Sequence, residues 1–126
     1  MMKTLIMVAL GGSIGASLRF LWGVSVLRLT GPTELPLAIM AANIVGSFLM
    51  GAFVVLAAHR GLTHLAPFVM TGILGGFTTF SAFSLESVTL IERGNLGLAG
   101  VYMALSVGLS IMGLMAGLWL MRMVLL

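Results

Sequence analysis

Three hydroxyl side chains near the end of the chain, Tyr102, Ser106 and Ser110, recur every four residues. On a helix this spacing places them on one face, as a continuous polar stripe. Serines alone often bond back to carbonyls of their own helix. Because three unpaired hydroxyls in an apolar segment are costly, a stripe of three favours a hydrated path along the helix.

A second polar position is Asn43, followed one turn later by Ser47, in the middle of another apolar segment. An amide inside a membrane is costly unless it is paired. It either forms a hydrogen bond between helices, worth about 0.6–2 kcal/mol, or uses its N–H groups as donors to an anion. The sequence leaves both interpretations open.

Residues 72–84 read Gly-Ile-Leu-Gly-Gly-Phe-Thr-Thr-Phe-Ser-Ala-Phe-Ser and predict a broken helix near Thr78. Each interior glycine costs about 1 kcal/mol relative to alanine, and Gly75, Gly76, Thr78 and Thr79 lie together. Carbonyls freed by a break inside a membrane are tolerated only beside protein, water or an ion. If two antiparallel copies met there, four carbonyls, two per chain, would hold one small cation. The alternative is close packing of small residues.

Phe77, Phe80 and Phe83 recur every three residues in the same segment, roughly on one helical face. One interpretation is packing in the core. The other uses the electropositive edge of each aromatic ring, which favours a small anion without a full positive charge that would trap it.

Two charged side chains lie inside apolar segments, Arg19 and Glu86. Arg19 lies about eight residues before the end of the first span, or ~12 Å deep. Facing a water-filled vestibule, it would draw anions inward, or it would snorkel to the surface. Glu86 is expected to pair with Arg19 or with water. His59 and His64 fall in a loop without a nearby acid or nucleophile, so no catalytic or metal-binding set is predicted and the chain is not expected to be an enzyme.

The composition places these residues in a membrane protein. Of 126 residues, 60% are hydrophobic and only 7% are charged, against ~25% charged in ordinary soluble domains. Disorder is excluded because it requires low hydrophobicity. The absence of cysteine excludes disulfides and thiol chemistry. The net charge of +3 comes from scattered residues and is not a nucleic-acid-binding surface.

The elements that position these residues are four apolar stretches, each long enough to cross a bilayer of ~30 Å. We expect all-α architecture, with residues 1–126 as a single four-helix transmembrane domain and the third helix broken at mid-membrane. A cleaved signal has an apolar core of only ~7–15 residues, whereas here apolarity continues to Leu27, so the first span is expected to be retained. Trp22 and Trp119 lie near predicted ends, as in an aromatic belt. The predicted spans are about 4–27, 35–58, 65–91 and 97–121.

The distribution of Lys and Arg bears on orientation, because an excess of these residues on one side sets topology. Four spans put both termini on one side of the membrane. That side carries three basic residues and the other carries two or three. Either the chain orients weakly, or it inserts both ways and forms an antiparallel homodimer of the kind seen in transport proteins. The two sets are Lys3, Arg60 and Arg122 against Arg28, Arg93 and Arg19.

Three segments together resemble the signature segments of one family, the Fluc (CrcB) fluoride channels. They are Gly11-Gly-Ser-Ile-Gly-Ala-Ser-Leu-Arg19, Asn43-Ile-Val-Gly-Ser-Phe-Leu-Met-Gly51 and Gly75-Gly-Phe-Thr-Thr-Phe-Ser81. Their order and spacing are specific, and the match covers the whole chain. One departure stands at position 82, where the family usually has Thr and this chain has Ala.

The resemblance implies dual-topology homodimers of four-helix subunits in the bacterial inner membrane, with two antiparallel pores that export fluoride passively and exclude chloride. It implies a structural Na⁺ at the dimer centre, held by the backbone carbonyls that match Gly75 and Thr78. Arg19 and Glu86 are assigned to the vestibule. The residues assigned to the fluoride pore are Asn43, Thr79, Phe80, Ser81, Phe83, Tyr102, Ser106 and Ser110.

Two other functions fit a small four-span protein. A proton-coupled small-molecule exporter, similar to small multidrug-resistance dimers, requires a titratable carboxylate in its binding cavity, for which Glu86 is the only candidate. A helper subunit would have no pathway of its own.

Overall fold

The computed structural model describes all 126 residues and contains only helices and their connections. Helix α1 covers Met2–Thr30, α2 covers Leu37–Arg60 and α5 covers Leu96–Leu125. Between α2 and α5 lies a third span made of several pieces. Four helical segments are long and apolar enough to cross a membrane. The second span starts two residues later than predicted, because Pro36 precedes the first helical residue.

Glycines end three of the helical segments, where the chain reverses. Gly31, Gly61 and Gly94 have φ angles of 70°, 69° and 81°, a region that side chains with a Cβ rarely adopt. At Gly31 the N–H donates to the Leu27 carbonyl and closes the last turn of α1 at 2.8 Å. The predicted turns therefore contain the residues that the backbone requires.

The third span is broken where the sequence predicts. A short 3₁₀ turn leads into a π-helix over Pro67–Leu74, which continues into the single turn α3, Gly75–Phe77. Thr78 and Thr79 are extended, with φ, ψ of −85°, 156° and −152°, 123°. Helix α4 then runs over Phe80–Glu92. The π-helix was not predicted, because no local signal distinguishes it from an ordinary apolar helix.

Small residues allow the helices to pack closely in two pairs. A Cβ at Gly11 or Gly15 would collide with the carbonyls of Phe68 and Ile73, so α1 touches the backbone of the third span. Across α2 and α5, a Cβ at Gly117 would collide in the same way with the Phe48 carbonyl. These contacts are the close backbone approach that small residues allow between membrane helices.

The interior of a single chain is small. Tyr102, Leu90 and Ala99 form a buried cluster between α4 and α5, and only 15 of 126 residues are buried. Most large apolar side chains face outward, as expected of helices surrounded by lipid or by another membrane-embedded chain.

Candidate functional site

The break in the third span is held by Asn43 of α2. Its side-chain Oδ1 accepts from the Thr79 N–H at 2.8 Å, and its Nδ2 donates to the Thr79 carbonyl at 3.1 Å. The Asn43 side chain therefore replaces the backbone acceptor that a continuous helix would give the Thr79 N–H, and it adds a donor to the Thr79 carbonyl, which also accepts the first hydrogen bond of α4. The interhelical interpretation of Asn43 is correct, and the amide nitrogen retains a second N–H that can still serve as a donor.

Helix α4 begins at this break with a side-chain cap. The hydroxyl of Thr79 accepts from the Ala82 N–H at 3.2 Å and lies 3.3 Å from the hydroxyl of Ser81. Capping by Thr satisfies one of the free N–H groups of a helix start. The positive end of the α4 dipole consequently lies within the membrane-spanning part of the chain.

Two of these hydrogen bonds, from the Thr79 N–H to Asn43 and from the Ala82 N–H to the Thr79 hydroxyl, take donors away from backbone carbonyls at the break. In a continuous α-helix the Thr79 N–H would bond to Gly75, and the Ala82 N–H would bond to Thr78. Here these donors are diverted to Asn43 and to the Thr79 hydroxyl. The carbonyls of Gly75 and Thr78 therefore lose the donors that a continuous α-helix would give them, and Gly75 is exposed.

Arg19 lies on the other side of the break, where its Nε–H donates to the Gly76 carbonyl at 3.1 Å. Of the two partners expected for Glu86, Arg19 or water, Arg19 is wrong, since it bonds to the Gly76 carbonyl at the break, ten residues before Glu86 in the third span. Glu86 instead lines a separate cavity of about 350 Å³ with the α1–α2 connection and the start of α2.

A cavity of about 290 Å³ opens beside the break, between α2, α4 and α5. Phe80 and Phe83 stand along it with ring centroids 5.4 Å apart, and Phe83 lies 5.5 Å from the ring of Tyr102. The cavity is lined by Asn43, Ser47, Thr78, Thr79, Phe80, Phe83, Ser106, Val107, Ser110 and Ile111.

Phe77 does not share the face of the other two phenylalanines, so the predicted row of three is wrong. The extended residues between α3 and α4 change the chain direction after Phe77. That ring is buried against the edge of Trp22, with centroids 5.7 Å apart and planes at 82°. Trp22 itself donates from its indole N–H to the Ala38 carbonyl at 3.1 Å. This hydrogen bond links α1 to the start of α2.

The hydroxyl stripe on α5 is buried and has no partner in the protein. Tyr102 and Ser106 are 0% and 4% exposed, and the oxygens of Tyr102, Ser106 and Ser110 make no hydrogen bond. Elsewhere, hydroxyls such as those of Ser13 and Ser87 donate to carbonyls of their own helices at 2.9 and 2.8 Å. The α5 hydroxyls thus remain available to a solute, which is what the hydrated-path interpretation requires.

The predicted site residues do not all face one space. Asn43, Thr79, Phe80, Phe83, Ser106 and Ser110 line the cavity, whereas Tyr102 does not line it and packs against the ring of Phe83. Ser81 lies beside Thr79 on an exposed surface. Ser47 and Thr78 line the cavity but were not assigned to it, although Ser47 follows Asn43 by one helical turn. That spacing was the available signal.

A broken membrane-spanning helix, unpaired intramembrane hydroxyls and a cavity lined in part by polar side chains are the features of an integral membrane transport protein. The family model described as CrcB-like protein, Camphor Resistance (CrcB), matches residues 6–118. The chain belongs to the CrcB family. Such four-span proteins lie in the bacterial inner membrane and pass through it several times.

Similar proteins extend over almost the whole chain. A fluoride-specific ion channel FluC of Roseobacter denitrificans is 72% identical over 122 residues, covering 96% of this chain and 97% of the relative. The protein of the same name from Ruegeria sp. is 65% identical, with 97% of both chains covered. That of Cereibacter sphaeroides is 59% identical, also with 97% of both covered.

Proposed function

We propose that this chain forms a fluoride-selective channel that releases fluoride passively from the cell. The observation that carries the proposal is the set of three buried hydroxyls on α5 that have no partner in the protein, of which Ser106 and Ser110 line a cavity beside two phenylalanines. The name of the relatives, fluoride-specific ion channel, supports the same substrate.

The donor groups suit a small and strongly hydrated anion. Fluoride gives up its water only where other donors replace it, and Ser110, Ser106 and Tyr102 offer one O–H each in sequence along α5. Several moderate donors allow both entry and exit, as conduction requires. The electropositive ring edges of Phe80 and Phe83 add attraction without a fixed charge. Chloride is larger and a weaker hydrogen-bond acceptor, so the same narrow path disfavours it.

The pathway is completed in this proposal by a second, antiparallel copy of the chain. Phe80 lines the cavity yet is 77% exposed in a single chain. A second copy packed over Phe80 would wall the open side. The nearly equal numbers of Lys and Arg expected on the two sides of the membrane fit insertion in both directions. Two-fold symmetry then gives two pores per dimer.

The free carbonyls at the break fit a structural Na⁺ at the centre of such a dimer. Gly75 and Thr78 from two chains supply four oxygens, and oxygen ligands are what a small hard cation prefers. The bound ion would be coordinated by carbonyl oxygens whose usual helical N–H donors are bonded elsewhere. The chain's own Asn43 and Thr79 keep these carbonyls free by taking their usual donors.

Fluoride efflux from liposomes that contain the purified chain tests the proposed function. We expect rapid efflux down the fluoride gradient, with no need for a pH gradient and far slower chloride efflux. Absence of fluoride flux would contradict the channel and favour a helper subunit. A flux that stops without a pH gradient would favour the exporter, in which Glu86 would carry the coupling proton. Crosslinking that finds only parallel neighbours would contradict the antiparallel dimer.

A further inference from the structure

We propose that Arg19 is a positioning residue for the conduction pathway and fixes the break through the Gly76 carbonyl. Its Nε–H donates to that carbonyl at 3.1 Å, a contact between residues 57 apart in the chain. This role differs from drawing anions toward a vestibule, which needs only a positive charge. The proposal rests on the channel function proposed above, because the break borders the cavity.

The contact extends a close fit between two backbones. A Cβ at Gly76 would lie 2.8 Å from the Gly12 carbonyl oxygen and 3.1 Å from the Ala16 nitrogen. Gly12, Ala16 and Arg19 follow one another at intervals of four and three residues, so they share the face of α1 that meets the third span. Arg19 therefore lies on the same face of α1 as Gly12 and Ala16, one turn further along, next to the point where the third span stops being helical.

The chain at the break is consequently held at both ends. Arg19 fixes Gly76 from α1, and Asn43 fixes Thr79 from α2 with two hydrogen bonds. Only Phe77 and Thr78 lie between the two fixed residues. Extended backbone within a membrane has no helical hydrogen bonds of its own, so it keeps one conformation only when other groups pair with it.

The electrostatics favour a cation at this place. Gly76 lies in the last turn before the break, where carbonyls carry the negative end of the helix dipole. A hydrogen bond from a charged donor is stronger than one from a neutral donor. Only Nε is used, so the two Nη nitrogens remain free to face solvent and attract anions. The two roles therefore reside on different atoms and can be separated by substitution.

Two substitutions separate the hydrogen bond from the charge. In Arg19→Gln the amide nitrogen is attached to Cδ, as Nε is in arginine, so a donor remains at that position without the charge. In Arg19→Met a methyl group occupies the same position, and both donor and charge are lost. Arg28→Gln is the matched control, since Arg28 is an exposed charge in the last turn of α1.

The experiment measures fluoride efflux from liposomes over a range of fluoride concentrations, first with the wild-type chain. We expect Arg28→Gln to resemble wild type. We expect Arg19→Met to conduct about tenfold more slowly than Arg19→Gln, because an unpaired intramembrane carbonyl destabilises the break. Raising the fluoride concentration should not restore the efflux rate of Arg19→Met to that of wild type. Equal rates in the Gln and Met variants, or full recovery of both at high fluoride, would mean that the charge alone matters and would overturn the proposal.

Amide hydrogen exchange over residues 76–80 is the second measurement, and it does not depend on conduction. Exchange at Phe77–Thr79 should be about five- to tenfold faster in Arg19→Met than in Arg19→Gln. Equal exchange would overturn the positioning role. A wild-type chain without fluoride flux would refute the proposed function, and the exchange comparison would still test the Arg19 contact. If Arg19→Met fails to assemble, Arg19→Gln alone tests the proposal, because it keeps a donor at the position of Nε. Faster exchange at Phe77–Thr79 than in wild type, together with loss of fluoride flux, would then contradict the proposal.

Discussion

Replacing Asn43 by Leu removes the two hydrogen bonds to Thr79 while preserving a side chain of similar size. The bonds measure 2.8 and 3.1 Å, and each contributes about 1 kcal/mol net. The loss is therefore about 2 kcal/mol, or a factor of roughly 30 in the population of the native break. The Thr79 N–H is left without a partner, while the Thr79 carbonyl keeps the first hydrogen bond of α4, so the chain must rearrange to satisfy the N–H.

Amide hydrogen exchange of the purified protein measures the population of the native break directly. We expect the Thr79 N–H to exchange about 30-fold faster in Asn43→Leu, while amides around the buried Leu90 keep their protection. Fluoride efflux should fall at least as much, because Asn43 also loses its free N–H donor. Ser25→Leu is the matched control, since Ser25 is exposed on α1 and its hydroxyl makes no hydrogen bond. Unchanged exchange at Thr79 would refute the inference that Asn43 holds the break.

Four further outcomes are expected. Phe83→Ile should lower fluoride efflux about three- to tenfold, since a ring-edge interaction is worth about 0.5–1.5 kcal/mol. Size-exclusion chromatography should show the same assembly as for wild type, and unchanged efflux would contradict the role of the ring edge. Ala82→Thr should raise efflux about threefold by adding one donor at the start of α4; slower efflux would show that the hydroxyl obstructs the path. Gly15→Ala should destabilise the fold by about 1–3 kcal/mol in thermal unfolding, because its Cβ would collide with the Ile73 carbonyl, whereas Gly23→Ala, with open space around it, should not. Glu86→Gln should leave fluoride efflux from liposomes unchanged and independent of a pH gradient. If the wild-type flux instead required a pH gradient and Glu86→Gln abolished it, proton coupling would be favoured.

The four spans, the break and the hydroxyl stripe were predictable because each depends on local composition. Apolar length determines a span, and glycines beside Thr78 and Thr79 determine a break. The spacing of Tyr102, Ser106 and Ser110 determines a shared face once the helix is given. These features need no knowledge of which helix packs against which.

The partners across helices were not predictable in the same way. Asn43 and Thr79 are 36 residues apart, and Arg19 and Gly76 are 57 apart. Their contacts depend on helix rotation, which the sequence does not encode locally. The expectation that Arg19 would pair with Glu86 followed opposite charge and overlooked the free carbonyl at the break. Phe77 was grouped with the later phenylalanines because helical spacing was continued through residues that are extended.

The π-helix over Pro67–Leu74 has a consequence for how this chain tolerates insertions and deletions. Wide turns of this type accommodate an additional residue within an otherwise regular helix. Losing one residue there would restore ordinary winding and leave the residues beyond it on the same faces of the span, so the Gly76 carbonyl would still face Arg19. Losing one residue from a regular helix such as α1 would instead turn everything beyond it by about 100°. Pro67–Leu74 is therefore the part of the third span that can lose a residue without reorienting the break, and an alignment gap there is compatible with the same pore.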